Sequence, residues 1–299
     1  MSTGVSESRE VIVVGSTGYL GSSLVPFLTR HGYRVLPAGR RLDDLVEVLV
    51  DGPDYCGFSD FISRRRPWCV VNLAAATNVD QCEADVATAY SANAALPGVL
   101  SAVIARSSPE TFFLHLSTDQ VYPGVGDHPE EAFAPVNVYG LTKLVGELLV
   151  SAPRSAIIRT NFFGRSRTAA RSDLSDWLIG SFRNRRRVTL FDDVIFNGLH
   201  VESLCSILEM VIRSRLAGTF NVGSRGGVSK ARFGLELAEI LHLDTDIAEI
   251  GTVEGARLRA RRPLNMTMNV SKIESALGIE CPDVHLEIRR TAEEYLNVE

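Results

Sequence analysis

Short apolar runs and amphipathic stretches alternate along the first half of the chain. "VIVVG" (11–15) is β-branched and ends in glycine, which reads as a strand buried on both faces. "GSSLVPFLTRHG" (21–32) then carries helical spacing and stops at Gly32. "YRVLPAG" (33–39) reads as a second strand and "WCVVNLAAA" (68–76) as a third buried one. A long helix is expected over 84–107, with a kink or restart at Pro97. Strand 111–117, helix 137–152, and a strand with its exit over 155–164 follow. This rhythm implies a parallel sheet wound right-handed with helices on both faces.

After about residue 164 the rhythm changes. Helices are expected at 175–184 and 230–243, and one more strand at 218–224. The expected fold is α/β. A Rossmann-type doubly wound domain takes 9–164 plus about 195–224. A smaller C-terminal substrate-binding lobe takes about 165–194 and 225–299, packed at the carboxyl edge of the sheet.

Composition narrows the function classes. Apolar content of 45% and charged content of 22% are ordinary for a globular protein. A net charge of −5 argues against nucleic acid as a partner. Arginines cluster at 64–66, 185–187 and 257–262; the first two read as solvated surface, and the third is considered as an anion contact. The five cysteines are widely spaced without metal-ligand spacing, so reduced thiols and no metal site are expected. The polar N-terminus has no secretory apolar region, and no apolar stretch looks long enough to span a bilayer, so a cytoplasmic location is expected.

"GSTGYLG" (Gly15, Ser16, Thr17, Gly18, Tyr19, Leu20, Gly21) follows a strand and opens a helix. Gly15 permits the tight turn, Gly18 lets backbone approach a pyrophosphate, and Gly21 lets helix pack on strand. The second strand ends in Arg40 and Arg41 where an acid would bind a free ribose 2′-hydroxyl. Arginines there suit a 2′-phosphate, so NADP(H) is expected in preference to NAD(H).

"NVYGLTK" sets Tyr139 and Lys143 one turn apart on a helix. A tyrosine that donates a proton needs its phenolate stabilised, and an ammonium one turn away supplies that charge. "STDQVY" (117–122) ends a strand, so Ser117 and Thr118 stand where such sheets keep their chemistry. The Thr118 hydroxyl is suited to share a polarised carbonyl oxygen with Tyr139.

Together these elements resemble the extended short-chain dehydrogenase/reductase family over nearly the whole chain. The resemblance implies a Thr118–Tyr139–Lys143 catalytic set, and a cofactor lined by the glycine loop, Asp51, Ala74, Ala75, Ala76, Asn93, Ser117, Asn161 and Phe162. "VVNLAAATNVDQCE", "LSTDQVY", "YGLTKLVGE" and "RRPLNMTMNVSKI" are more narrowly similar to dTDP-4-dehydrorhamnose reductases and related sugar-nucleotide 4-ketoreductases. That implies NAD(P)H-dependent reduction of the C4 ketone of a nucleotide-linked 6-deoxy-hexulose, and a homodimer as the assembly. Asn78, Thr118, Asp119, Gln120, Tyr139, Asn161, His200 and Arg262 are the substrate-side candidates, with His200 weighed against plain packing.

Three other readings stay open. A 4,6-dehydratase needs an Asp–Glu pair after the threonine, and here it is Asp119–Gln120, whose amide cannot act as a base. A C4 epimerase would share the fold. A non-catalytic NADP-binding subunit, resembling the regulatory subunit of methionine adenosyltransferase, would also keep it.

Overall fold

The computed structural model describes residues 9–39, 48–49, 56–168 and 173–297. Arg40, Arg41 and Asp51 lie outside the described residues.

The apolar runs become one parallel sheet. Its strands are β1 (Glu10–Val14), β2 (Arg34–Gly39), β3 (Val48–Leu49), β4 (Cys69–Asn72), β5 (Phe112–Thr118), β6 (Ser155–Thr160) and the strand Gly218–Val222. The order runs Gly218–Val222, β6, β5, β4, β1, β2, β3, and every neighbouring pair is parallel. The order in which strands are added therefore reverses between β1 and β4, the crevice where such sheets bind ligands beyond their strand ends.

The strand residues sort by the two-residue period. Val11 and Val13 pack with Leu24 of α1 (Tyr19–Arg30) and with Leu204, Leu208 and Val211 of the helix Val201–Ser214. Ile12 and Val14 face the other way, onto Phe58 and Ile62 of α2 (Cys56–Arg65) and onto Leu100 and Ile104. Burial on both faces is why these strands are apolar at successive positions.

The third expected strand ends early. β4 stops at Asn72, not residue 76, because the chain must leave the sheet to pass the crevice. Over 155–164 the strand runs to Thr160 and the exit follows; beyond Asn161, Phe162–Phe163 pairs with Leu199–His200.

The long helix runs Val86–Ser107, and its interruption is a π-helical turn at Ser91–Ala95, just before Pro97. Proline has no N–H to give the carbonyl four residues back, which here is Asn93. By length and composition this helix is apolar enough to cross a membrane, against the expectation that no stretch is. Its apolar face is instead used in the core, where Leu100, Val103 and Ile104 are buried.

A second apolar cluster lies in the later segments. Phe163, Leu178, Phe182, Leu190, Phe196, Phe233 and Ile288 pack together, with the Phe163, Phe196 and Phe233 rings in mutual contact. Val270, Ile273 and Cys281 return to the core of the sheet. The helices here are Leu174–Arg183, Lys230–Ile240 and Val284–Leu296. Cys69, Cys82, Cys205 and Cys281 are buried free thiols.

Candidate active site

The glycine loop is built for close approach. Gly15 has φ +86° and donates its N–H to Ala38 O at 3.0 Å; a Cβ there would sit 2.9 Å from Ala74 N. A Cβ on Gly21 would meet Gly15 O at 2.3 Å and Ser16 O at 2.6 Å. Gly18 caps α1 without any side-chain hydrogen bond, so the first-turn N–H groups stay available to an anion. Ser16 is buried, Thr17 is exposed, and Leu20 points into the core. Tyr19 stacks on Phe162 at 5.3 Å and donates to Gly164 O at 2.9 Å, tying the loop to the exit of β6. This cradle, uncapped and closed to any Cβ, fits a dinucleotide pyrophosphate. Gly21→Ala is expected to lower NADPH affinity and to destabilise the fold by about 1–3 kcal/mol, the usual range for overpacking. Calorimetric titration and urea unfolding measure the two effects.

The opposite wall is the loop after β4. Ala74 N–H donates to Asn72 Oδ1 (3.2 Å), and Ala76 exchanges two bonds with the Asn93 side chain (2.8 and 3.1 Å). Asn93 also donates to Thr142 Oγ1 at 3.1 Å. A fully buried Asn93 thus clamps the Ala74–Ala75–Ala76 backbone to the helix Val138–Leu148. The π turn aids this, since Asn93 O lies so close that a Cβ on Gly146 would be 2.1 Å from it.

β5 delivers Thr118 and the helix Val138–Leu148 delivers Tyr139 and Lys143. Asn137 starts that helix by accepting from Gly140 N–H at 2.8 Å, and Glu83 accepts from Val138 N–H at 2.9 Å. Thr118 Oγ1 donates to Asp119 Oδ1 at 3.1 Å and accepts from Gln120 N–H at 3.2 Å. Burial raises the Tyr139 pKa, outweighing the lowering influence of the Thr118 hydroxyl, and so keeps the phenol protonated. Lys143 Nζ donates to Leu116 O at 2.6 Å. Burial pushes its pKa down to about 8, while the Glu147 carboxylate four residues on pulls it upward.

The substrate-side candidates divide. Asp119 is buried, accepts from Asn161 Nδ2 at 2.6 Å, and is pushed up to about 6 by burial, against the hydrogen bonds from Asn161 and Thr118. Gln120 Oε1 accepts from Asn137 Nδ2 at 3.0 Å, and its Nε2 donates to Met266 Sδ at 3.4 Å. It links the strand end, the helix cap and the segment 261–266. Arg262 binds Asp80 at 2.8 Å and is held on the same side through Asn137, which donates to Arg261 O at 2.9 Å. Asn78 is exposed and caps the turn Val79–Ala84 through Gln81 N–H. His200 is set apart from these. It is buried, its Nε2 lies 3.1 Å from Glu294, and its Nδ1 accepts from Glu202 N–H, so both ring nitrogens are engaged within the chain.

One group escaped the motif reading. Under the strand end, Glu147 accepts from Ser117 Oγ and binds Arg159 through Nε and Nη2 at 2.6–3.1 Å. Arg159 also donates to Tyr122 Oη at 3.0 Å and Glu130 O at 2.5 Å, and Tyr122 Oη donates to Asn221 Oδ1 at 2.5 Å. The signal was present: a charged residue inside the apolar strand "SAIIRT" calls for a buried partner. Among the described residues no cluster of His, Cys, Asp and Glu could hold a metal ion.

The model of the RmlD substrate binding domain family matches residues 9–297. The chain belongs to this family. Among its relatives, the probable low-salt glycan biosynthesis reductase Agl14 of Haloferax volcanii is 29% identical over 288 residues, covering 90% of this chain and 93% of the relative. The dTDP-4-dehydrorhamnose reductase of Escherichia coli strain K12 is 26% identical, covering 95% and 97%. The same fold is found in the dTDP-4-dehydrorhamnose reductase of Bacillus anthracis solved with NADP, with a TM-score of 0.84, 22% identity, and coverage of 96% and 99%. It recurs in MoeE5 solved with UDP-glucuronic acid and NAD, with a TM-score of 0.80, 20% identity, and coverage of 97% and 100%.

Proposed function

We propose that this protein is an NAD(P)-dependent oxidoreductase that reduces the C4 ketone of a nucleotide-linked 4-keto-6-deoxy sugar. The observation that carries the reading is the convergence of Thr118, Tyr139 and Lys143 at the carboxyl end of β5, on the sheet edge that also carries the glycine loop. The names of the relatives, reductases of 4-dehydrorhamnose and of glycan biosynthesis, support the same class. The fold neighbours were solved with NADP in one case and NAD in another. Arg40 and Arg41 favour the 2′-phosphate, so we propose NADP(H) over NAD(H). A cytoplasmic site fits the free buried thiols.

When bound, the dinucleotide supplies hydride to the ketone carbon. Tyr139 gives its phenolic proton to the alkoxide oxygen that forms, completing the alcohol. Its raised pKa keeps it in the donor form until that oxygen becomes basic. The Lys143 ammonium lowers the cost of the phenolate left behind. Thr118 shares the hydrogen bond at the reacting oxygen. Asp119, fixed by Asn161, is placed to accept from a sugar hydroxyl. Gln120, a neutral amide tied into two hydrogen bonds, offers no base for elimination.

The test is NADPH oxidation across dTDP-, UDP- and GDP-linked 4-keto-6-deoxy sugars, with C4 configuration read by NMR. Turnover on one nucleotide series is expected. No oxidation on any of them would overturn the reading in favour of a non-catalytic subunit.

A pH limb follows from Lys143. Its cation dominates below pH about 8 and is lost above it. kcat is therefore expected to be level from pH 6 to 7.5 and to fall up to tenfold per unit above about 8. A flat profile to pH 10 would separate the ammonium from the chemistry.

A further inference from the structure

Only three lysines occur in the chain, against 28 arginines among the 31 basic residues. Lys143 belongs to the catalytic edge, and Lys272 lies over the Phe220 ring at 5.3 Å. The third, Lys230, opens the helix Lys230–Ile240 behind its cap Ser229. Its backbone N–H donates to Val194 O at 2.9 Å, and Val228–Ser229 pairs antiparallel with Ile195–Phe196. Ile195 is bonded in turn to the segment that closes over Gln120: its N–H reaches Leu264 O at 2.6 Å, and its O accepts from Met266 N–H at 2.9 Å. Met266 Sδ receives Gln120 Nε2. The base of Lys230 is thus fixed to the same wall as "STDQ".

The half-buried side chain reaches into a field of three charged groups, the carboxylates of Asp119 and Asp173 and the guanidinium of Arg262. Arg262 already has a partner in Asp80 at 2.8 Å. Lys230 makes no side-chain hydrogen bond and no ion pair within 4.0 Å among the described residues. An ammonium drawn out of water and left without a partner is unfavourable. Such a group in a ligand cleft is stabilised when the ligand brings negative charge. On the reading above, the sugar's hydroxyls are served by Asp119. The part of a nucleotide sugar that lacks a counterpart is its diphosphate, and a compact, strongly hydrated ammonium suits a phosphate as a point charge.

We infer that Lys230 binds the diphosphate of the nucleotide-sugar substrate, on the Arg262 side of the cleft. The inference rests on the nucleotide-sugar reading above and adds one specificity-determining residue to it. Because neither Asp119 nor Asp173 forms an ion pair with Lys230 in the free protein, a substrate phosphate supplies the direct partner that orders it.

The experiment is calorimetric titration of the full chain, saturated with NADPH, with dTDP, UDP and GDP in turn. The wild-type protein is expected to bind one of them clearly. Lys230→Met should weaken that binding roughly 10- to 100-fold, the range for losing a charged hydrogen bond, while Lys230→Arg retains most of it. NADPH affinity and circular dichroism of both variants should match wild type, which separates lost contact from lost fold. Wild-type-like nucleotide affinity in Lys230→Met, with the fold intact, overturns the assignment of Lys230 alone. Failure of the wild-type protein to bind any of the three overturns the nucleotide-sugar reading along with it. Should Lys230→Met not fold, weakened binding in Lys230→Gln supports the assignment and unchanged binding overturns it.

Discussion

Replacing Tyr139 by Phe is expected to leave NADPH binding within about twofold and to lower kcat by roughly 10²–10⁴-fold, the span of general acid catalysis by one positioned side chain. The reason lies in how little else the hydroxyl does. Tyr139 is buried against Cys82 and Ala89, contacts that a phenylalanine ring keeps. Its hydroxyl interacts with Thr118, and Thr118 retains Asp119 and the Gln120 N–H when it is gone. The glycine cradle and the Asn93 clamp are untouched. The variant should therefore unfold in urea close to the wild type and titrate normally with NADPH by fluorescence. A proton still has to reach the alkoxide, and only water remains to bring it. Full turnover in Tyr139→Phe would remove the phenol from the mechanism. A loss of NADPH binding would instead show that Tyr139 supports the cofactor site.

Much of this arrangement could be read from residue order because it depends on local rules. A β-branched run ending at Gly15, then helical spacing, fixes a strand–turn–helix whatever surrounds it. Tyr139 and Lys143 face one way because a helix turns every 3.6 residues. The parts that were not legible depend on distant partners. The path of the chain beyond β4 depends on the Asn93 side chain, 17 residues after Ala76, which holds Ala76 in a loop. Gln120 reads locally as a neutral substitute for an acid, yet its side chain is spent on Asn137 and Met266, 17 and 146 residues away. His200 could be read equally as a packing residue or a substrate contact, because what decides it is the distant Glu294, which takes its Nε2. The apolar character of Val86–Ser107 reflects burial against the sheet, a property that window hydropathy shares with membrane segments.

Replacing Arg159 by Met is expected to destabilise the protein by about 3–5 kcal/mol, the cost of leaving a buried charge without its partner. Both side chains of the Arg159–Glu147 pair are only 4% exposed, and the guanidinium meets the carboxylate in a forked geometry at 2.6–3.1 Å. With Arg159 gone, Ser117 is the one remaining donor to Glu147. Tyr122 Oη and Glu130 O lose a donor as well, and the rings of Tyr122 and Phe133 lose the cation above them. If uncompensated charge is the main cost, adding Glu147→Gln to the variant should restore more than half of the loss, since the amide needs no counter-ion and still accepts from Ser117. Urea unfolding of the two variants beside wild type reads this directly. A cost below about 1 kcal/mol in Arg159→Met would mean that water reaches Glu147 and that the pair is not sealed. The double variant also bears on catalysis. Glu147 is the group that pulls the Lys143 pKa upward against burial, so its neutralisation should move the alkaline limb of kcat to lower pH. The network beneath Ser117 would then support the catalytic edge in two ways, by holding the strand end in place and by keeping the ammonium charged.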